Sequence, residues 1–553
     1  MERRTPRAEL AVVALISAAV LGFGIQSTGV ASGYVDPILK AGAQDEAVYG
    51  HAAAAMVRTG SWLTPEFLHR FMLNKPPLLM WLGSLGMRVF SMNPVALRIV
   101  PIGAAVLCCL VVYAWLRRSL PVLAAASGVL LLLGNSLFHS MARKFMTDIL
   151  LTLLITSAVF VLSLDPRFTR IQTAPLFGLF CGAAILTKSA AGAMPLLILI
   201  AYCFVATNGG RPSAGRVVIA LGVAAAVAGP WHVYQFVVHR DWFMSEYVRF
   251  QLLGSGISAP SRYTNDSNLS FYAWRLVALS PLLLSMCAVS AAFWKRYADE
   301  SQARLIAVWC VAGLVCPLAF GTRVAYYLLP LMPAMAVAAV QLSPLFQGRW
   351  VGPMFCLLIV SFGMKAALAS ATWGLDYRPE AVPAAAELEK YVQLRRTNEL
   401  VIVAPDDEFY SAVLDLPRVR YAFLGNVDST KTTQFFYWLG INVSTADFCN
   451  LEKLAPEYAQ HLAAWGLRDA RPIGSIIAGG SNLELATIVR CSPDRDFFLP
   501  ESLREAAIEA GGLTHIPAGG DSGRFFLLAK RSARRDDIAP QPGTVIATRS
   551  PVR

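Results

Sequence analysis

The sequence predicts a polytopic α-helical membrane protein of about 11–13 spans followed by a C-terminal extracytoplasmic α/β domain. Three observations carry that expectation. Of the 553 residues, 56% are hydrophobic and only 15% are Asp, Glu, Lys or Arg, where a soluble domain carries roughly a quarter; the mean hydropathy is +0.51. Uncharged apolar runs recur at close to the ~20 residues that a spanning helix needs. After Trp373 the pattern changes to short apolar runs alternating with charged helical stretches, which reads as a small domain of alternating strands and helices.

The first span, Glu9 to Val30, follows Met-Glu-Arg-Arg-Thr-Pro-Arg. Its apolar stretch is too long for a signal-peptide core, so it is expected to be retained with a cytoplasmic N-terminus. Further spans are expected near residues 95–116, 120–138, 146–164, 174–187, 193–207, 217–237, 271–293, 304–321, 325–342 and 351–372. That makes eleven, and an odd number puts the C-terminus opposite the N-terminus. Cytoplasmic loops then carry Arg117 with Arg118, Arg167 with Arg170, Arg211 with Arg216, Lys295 with Arg296, and Arg349. The other side is basic as well, with Lys40, Arg58, Lys75, Arg143, Lys144, Lys188, Arg249 and Arg323 among its cations. Cations beside the membrane on the translocated side oppose the topogenic bias. An anionic substrate at the outer leaflet is the simplest physical reason for them, and contacts to lipid phosphates are the plain alternative.

Composition also limits the function. The net charge is +12, but it is scattered over short loops with no Lys/Arg-rich block, which argues against a nucleic-acid partner. Seven histidines and ten cysteines show neither a CxxC pair nor an HxxxH spacing, so no metal site or cofactor is expected. Eight of the cysteines lie in apolar runs, where Cys is usually a small buried hydrophobe. Cys449 and Cys491 fall in the polar C-terminal part and could pair as a disulfide if that part is extracytoplasmic.

Three domains are expected: 1–375 as the transmembrane domain, 376–530 as the α/β domain, and 531–553 as a disordered tail. In the second, Leu400–Ala404, Ile476–Ala478 and Phe525–Ala529 read as strands and Ala384–Leu394 as a helix. Ile477-Ala478-Gly479-Gly480-Ser481-Asn482 reads as a plain turn from strand to helix, because the rest of a dinucleotide fingerprint is missing. There is no internal repeat.

The informative region is the first outer loop, residues 31–90. Gln44-Asp45-Glu46 opens a helical pattern that runs to Arg58 and stops at Gly60; acidic residues in the first turn and a glycine after the last are ordinary helix signals. Asn74-Lys75-Pro76-Pro77 opens a second helix, Leu78 to Phe90, with prolines in its first turn. Both patterns are amphipathic and are expected to lie in the membrane interface.

Here a resemblance becomes specific. Asp45-Glu46 with Tyr49, then Gly60-Ser61-Trp62 with Pro65 and Lys75-Pro76-Pro77, resembles the signature of membrane glycosyltransferases that use polyprenyl-phosphate sugars. These are the GT-C superfamily, which includes the aminoarabinose transferases and protein O-mannosyltransferases. Arg143-Lys144-Phe145-Met146-Thr147-Asp148 resembles the family's second acidic motif. Leu186-Thr187-Lys188, Gly229-Pro230-Trp231-His232, and Gly321-Thr322-Arg323 with Tyr326-Tyr327 match later motifs, so the likeness covers roughly residues 10–345. The C-terminal part adds only a likeness of architecture to the aminoarabinose transferases.

The resemblance implies a sugar donor on a polyprenyl phosphate, whose leaving group is a lipid phosphate. Cations aimed at its oxygens would stabilise the developing charge; Lys75, Arg58, Lys188, Arg249 and Arg323 are the candidates, with Lys75 and Arg323 favoured by the motifs. An acceptor nucleophile needs a carboxylate to take or orient its proton. The resemblance points to Asp45 for that role, with Asp148 in support and Tyr49, Tyr326 and Tyr327 lining the substrate. Each has a plainer reading: Asp45 as a helix-start residue, Lys75 as a snorkelling lysine, Asp148 as a cap, and His232 as a structural residue at a helix end. One departure matters. Aminoarabinose transferases usually carry Glu before the key lysine, and this chain has Asn74, which puts the amino sugar and a lipid A acceptor in doubt.

The resulting expectation is an inverting transfer to lipid A, another glycolipid, a glycan or a protein, with a divalent cation left open and unsupported by the sequence. It would take place on the outer face of a bacterial inner membrane and be carried out by a monomer. A lipid or glycolipid transporter or flippase is the alternative from another class. It would not need a carboxylate and lysine in a long first outer loop, and it usually shows paired half-helices from an internal repeat.

Overall fold

The computed structural model describes residues 6–23, 25, 43–67, 70–91, 94–206, 210–258, 268–298, 300–320 and 323–370, and then 399–404, 418–423, 476–479, 485–491, 496–500, 503–510, 513–516 and 525–530. The expected helix at 384–394, the tail 531–553 and Cys449 lie outside the described residues. The chain divides into two compact units, one of residues 1–382 with 409–415 and 461–471, the other of 383–408, 416–460 and 472–553.

The first unit is helical. It opens with α1 (Arg7–Gly22), α2 (Ala43–Thr59), a hairpin of β1 (Glu66–Phe67) and β2 (Arg70–Phe71), and α3 (Leu78–Phe90). Next come α4 (Pro94–Arg117), α5 (Val122–Leu133), α6 (Ser136–Ala142), α7 (Thr147–Leu164), α8 (Thr173–Lys188) and α9 (Met194–Val205), the last two joined by a 3-10 turn, Ser189–Ala193. α10 (Ala214–Val238) and α11 (Arg240–Phe243) lead into a π-helix, Met244–Ser258. α12 (Asn268–Leu279), α13 (Pro281–Ala292), α14 (Ser301–Leu318), α15 (Leu331–Gln341) and α16 (Val351–Ser370) complete the unit.

Five described helices are long and apolar enough to cross a membrane, or up to seven if each of two bent pairs is one span. The chain is therefore a multi-pass membrane protein. Among the described residues the eleven expected spans are not all separate, straight helices. The expected spans at 120–138 and 271–293 are bent pairs, α5–α6 turning by 71° and α12–α13 by 104°. The expected pair at 174–187 and 193–207 is one helical run, Thr173–Val205, interrupted at its turn. α1 and α15, at 16 and 11 residues, are shorter than the ~20 that a straight crossing needs.

The breaks are stabilised by polar side chains. Asn135 caps α6, its oxygen accepting from Phe138 N at 2.9 Å, and its amide donates to Ser280 Oγ at 2.7 Å. Ser280 is the residue between α12 and α13, so the two breaks are bonded to each other. Lys365 of α16 donates to Gly134 O at the end of α5 and to Ser136 Oγ at 2.7 Å.

α7 is the centre of the unit, buried at almost every position from Thr147 to Ser163. α8 approaches α10 closely because Gly178 and Gly182, four apart, face backbone: a Cβ on either would come within 2.3 and 2.7 Å of Ala220 O and Ala224 O. Small residues four apart are the usual means of bringing membrane helices together. At one end of the bundle α1 is tied to α4, where Glu9 accepts from Arg117 Nε at 2.8 Å and from Tyr113 OH at 2.8 Å.

The two helices expected between residues 31 and 90 form where the sequence predicts, as α2 and α3. Gly60, after α2, has φ +75°, the left-handed conformation that ends helices and that glycine adopts without strain. The expectation of two amphipathic helices holds for α3, which buries Leu79, Met80, Gly83, Ser84 and Met87 and exposes Leu85, Val89 and Phe90. It fails for α2, whose Tyr49 and His51–Met56 are all buried. Small residues make this possible: four consecutive alanines let neighbouring elements close around the helix.

In the second unit the described strands β3 (Glu399–Ala404), β4 (Arg418–Phe423), β5 (Ile476–Gly479), β6 (Asp496–Pro500), β7 (Leu513–Ile516) and β8 (Phe525–Lys530) pair in the order β5-β4-β3-β6-β8-β7. β3 is parallel to β4 and β6, β4 to β5, and β8 runs antiparallel to β6 and β7. Two short helices, α17 (Leu485–Cys491) and α18 (Arg504–Glu509), accompany them. Cys491 is disulfide-bonded.

Candidate functional site

Two polar clusters in the helical unit contain most of the residues singled out above. The first is built at the start of α7 and the end of α8. Asp148, in the first turn of α7, accepts from Lys188 Nζ at 2.5 Å, and both side chains are nearly buried. The lysine is the last residue of α8, where a cation complements the helix dipole, and Ser189 after it adopts φ +44°. The ammonium also lies over two rings supplied from more than a hundred residues away, 4.6 Å from the centroid of Tyr327 and 5.1 Å from that of Tyr326. Desolvated cation–π contacts of this kind contribute about 2 kcal/mol. Asp148, Lys188, Tyr326 and Tyr327 are thus brought together. Lys188, expected among the phosphate cations, is ion-paired to a carboxylate.

Asp45 is in the first turn of α2, and its side chain lies outside the described residues. Its neighbour Glu46 is buried and makes a two-toothed pair with Arg98 of α4, at 2.9 and 3.1 Å. The same carboxylate accepts from Phe145 N at 2.9 Å. Phe145 stands three residues before Asp148, so one buried glutamate joins the backbones that carry Asp45 and Asp148. A charge-assisted fork of this sort fixes geometry as well as adding energy.

The second cluster surrounds the turn between β2 and α3. Lys75 Nζ donates to Gln251 Oε1 at 2.7 Å, and Leu73 N donates to the buried carboxylate of Glu246 at 2.6 Å. Both partners belong to the π-helix. That helix is anchored on α10 by Tyr247, whose hydroxyl is 2.6 Å from His232 Nε2. His232 Nδ1 lies 2.8 Å from Ala228 O, an acceptor only, so Nδ1 carries the proton and Tyr247 donates to Nε2. Burial pushes the Tyr247 phenol up from its ordinary pKa. α10 holds the loop before the hairpin too, Trp231 Nε1 and Gln235 Nε2 both donating to Leu63 O at 2.8 and 2.6 Å. His232, expected at a helix end, lies inside α10, and its partner Tyr247 is one that no sequence signal names.

The remaining candidates are more dispersed. Tyr49 is buried in α2 and Arg58 is half-buried in its last turn. Arg249 is exposed on the π-helix, and Arg323 is half-buried close to the Tyr272 hydroxyl. Among the described residues no group of three or more His, Cys, Asp or Glu could hold a metal ion. Asn74 is buried beside Lys75, and its amide oxygen has no hydrogen-bond partner.

Comparison with known proteins adds three findings. Residues 74–234 match the family described as dolichyl-phosphate-mannose-protein mannosyltransferase. Two curated relatives are undecaprenyl phosphate-alpha-4-amino-4-deoxy-L-arabinose arabinosyl transferases. That of Pseudomonas paraeruginosa is 29% identical over 37% of this chain and 39% of its own length; that of Erwinia tasmaniensis is 25% identical over 61% and 62%. The chain therefore spans less than two thirds of these relatives. The crystal structure of ArnT from Cupriavidus metallidurans bound to undecaprenyl phosphate superposes with a TM-score of 0.66, covering 97% of this chain and all of that one at 15% identity, a likeness of fold. The chain is thus similar over part of its sequence to these mannosyl- and arabinosyltransferases, and in fold to ArnT.

Proposed function

We propose that this protein transfers a sugar from a polyprenyl-phosphate donor to an acceptor in the cell envelope. The observation that carries the reading is the Asp148–Lys188 pair under Tyr326 and Tyr327, joined through Glu46 to the turn that begins with Asp45. Four distant motifs of a glycosyltransferase pattern meet there around two carboxylates.

In this reading the anomeric carbon–oxygen bond to phosphate breaks as the acceptor's oxygen attacks, and the electron pair leaves on the lipid phosphate. Lys75, with Arg58, Arg249 and Arg323, supplies the cations that stabilise that charge. Asp45 takes or orients the acceptor's proton. Asp148 keeps Lys188 and the tyrosines in place, and Lys188, paired to it, orients the cluster instead of acting as a separate phosphate cation. With Asp45 as the one carboxylate assigned to the acceptor, a single displacement with inversion is the expected course, since a double displacement uses a second as nucleophile. A neutral Asn74 offers an amino sugar no counter-charge, so donor sugar and acceptor are left to experiment.

We further assign residues 376–530 to an α/β domain outside the inner membrane, on the side facing the periplasm. The disulfide at Cys491 supports this, because such bonds persist in oxidising compartments.

The test reconstitutes the full chain in liposomes with labelled polyprenyl-phosphate sugars and envelope lipid extract. Wild type should move label to an acceptor with inverted configuration, and Asp45→Asn should bind donor but transfer nothing. Retained configuration would overturn the single displacement. A fully active Asp45→Asn protein would return Asp45 to its helix-start role, and no transfer by wild type from any donor would sink the reading.

A further inference from the structure

The segment Met244–Ser258 is a 15-residue π-helix, far longer than the single π-turns that occur inside α-helices, often at functional sites. Its hydrogen bonds join residues i and i+5, so side chains five apart lie on the same side of the helix. In an α-helix, five residues turn the chain about 140° away from that face. Glu246 and Gln251 are five apart, and both reach the same three-residue turn: Glu246 accepts from Leu73 N at 2.6 Å and Gln251 accepts from Lys75 Nζ at 2.7 Å. In α register the residues sharing a face with Glu246 would be Arg249 and Phe250, and no amide would meet the lysine. Tyr247 fixes the helix between these contacts, bonded to His232 and stacked on Phe243 with centroids 4.7 Å apart and planes 11° from parallel.

We propose that the π register exists to set Lys75, with Glu246 and Gln251 as its positioning residues: the glutamate fixes the backbone of the turn and the glutamine fixes the ammonium. Neither touches the reacting atoms. They act by holding the lysine where a lipid phosphate meets it, so they tune affinity for the polyprenyl phosphate. This rests on the reading of Lys75 as a donor-phosphate ligand.

The test measures binding of a fluorescent polyprenyl phosphate to the full chain in detergent micelles. Lys75→Ala should weaken it tenfold or more, about 1.4 kcal/mol or above. Gln251→Glu places a competing carboxylate on the ammonium and should weaken binding about tenfold, without lowering the unfolding temperature. Glu246→Gln keeps an oxygen for Leu73 N and should cost about threefold. The deciding arm is the double variant. If Gln251 acts only through Lys75, Lys75→Ala/Gln251→Glu binds within about twofold of Lys75→Ala alone, the non-additivity of groups that work as a unit. Additive losses would overturn the positioning role while leaving Lys75 as a phosphate ligand. Lys75→Ala binding like wild type would instead remove Lys75 from the phosphate site, and the proposal with it.

Discussion

The two lysines of the motif pattern are held in opposite ways. Lys188 is nearly buried against a carboxylate at 2.5 Å and under two aromatic rings, while Lys75 is half-buried and donates to a neutral amide on another segment. The first arrangement couples charge to folding, because separating the partners leaves an ion inside the protein. The second seats the ammonium on another segment through a hydrogen bond to an amide. Residues of the same type, in one family pattern, are thus expected to fail differently when changed.

The largest effect should come from Lys188→Ala. It leaves Asp148 buried and uncompensated, which typically costs about 3–5 kcal/mol. Thermal unfolding in detergent measures it, and Asp148→Asn/Lys188→Met should recover much of the loss. Lys75→Ala should leave unfolding nearly unchanged. If both lysine variants unfold alike, the contrast between the two sites is wrong.

An intermediate effect is expected at the Asn135–Ser280 contact, which is uncharged but buried like the Lys188 corner. Asn135→Ala removes the α6 cap and the bond between the two helix breaks, for a loss of about 1–2 kcal/mol. Ser280→Ala removes only the bond and should cost about half as much. Equal losses would show that the cap contributes nothing.

The smallest effect isolates a carboxylate satisfied without a cation. Asp165, in the loop between α7 and α8, is pushed up by burial. Hydrogen bonds from the backbone N–H groups of Arg170 and Thr169, with the hydroxyls of Thr173 and Thr169, outweigh this and hold it below the ordinary value. A folded value below the unfolded one contributes stability that is present above the unfolded pKa and lost as pH falls through the folded one. The stability gap between wild type and Asp165→Asn should therefore be constant near neutral pH and narrow below about pH 4. A gap that widens on acidification would reverse the sign of the shift.

Much of the outer loop was legible in the sequence because its signals are local. Gly60 and the Pro76-Pro77 pair mark the ends of α2 and α3 at the residues where those helices stop and start. The meeting of Lys188 with Tyr326 and Tyr327 followed only from the family pattern, since no periodicity links positions so far apart. The bent spans read as straight because apolar composition continues through the breaks; Gly134-Asn135 and Ser280-Pro281 inside those runs were the available sign. Lys365 was passed over, although an ionisable residue within a span marks a site by default. The π register leaves no trace in composition, so Glu246 and Gln251 could not be singled out. Glu46 belongs to a motif, but no local signal in the sequence links it to Arg98.

The helix breaks also bear on the bilayer itself. α5 and α13, at 12 residues each, rise about 18 Å, against a hydrocarbon layer of about 30 Å. α6 and α12 then turn aside by 71° and 104°, so they add little height. Hydrocarbon beside these elements faces a short partner and thins to match it, the usual response to a hydrophobic mismatch. Such thinning would bring water and headgroups toward Asn135, Ser136 and Ser280. A long-chain lipid phosphate could then reach the protein's polar interior without lifting its tail from the membrane.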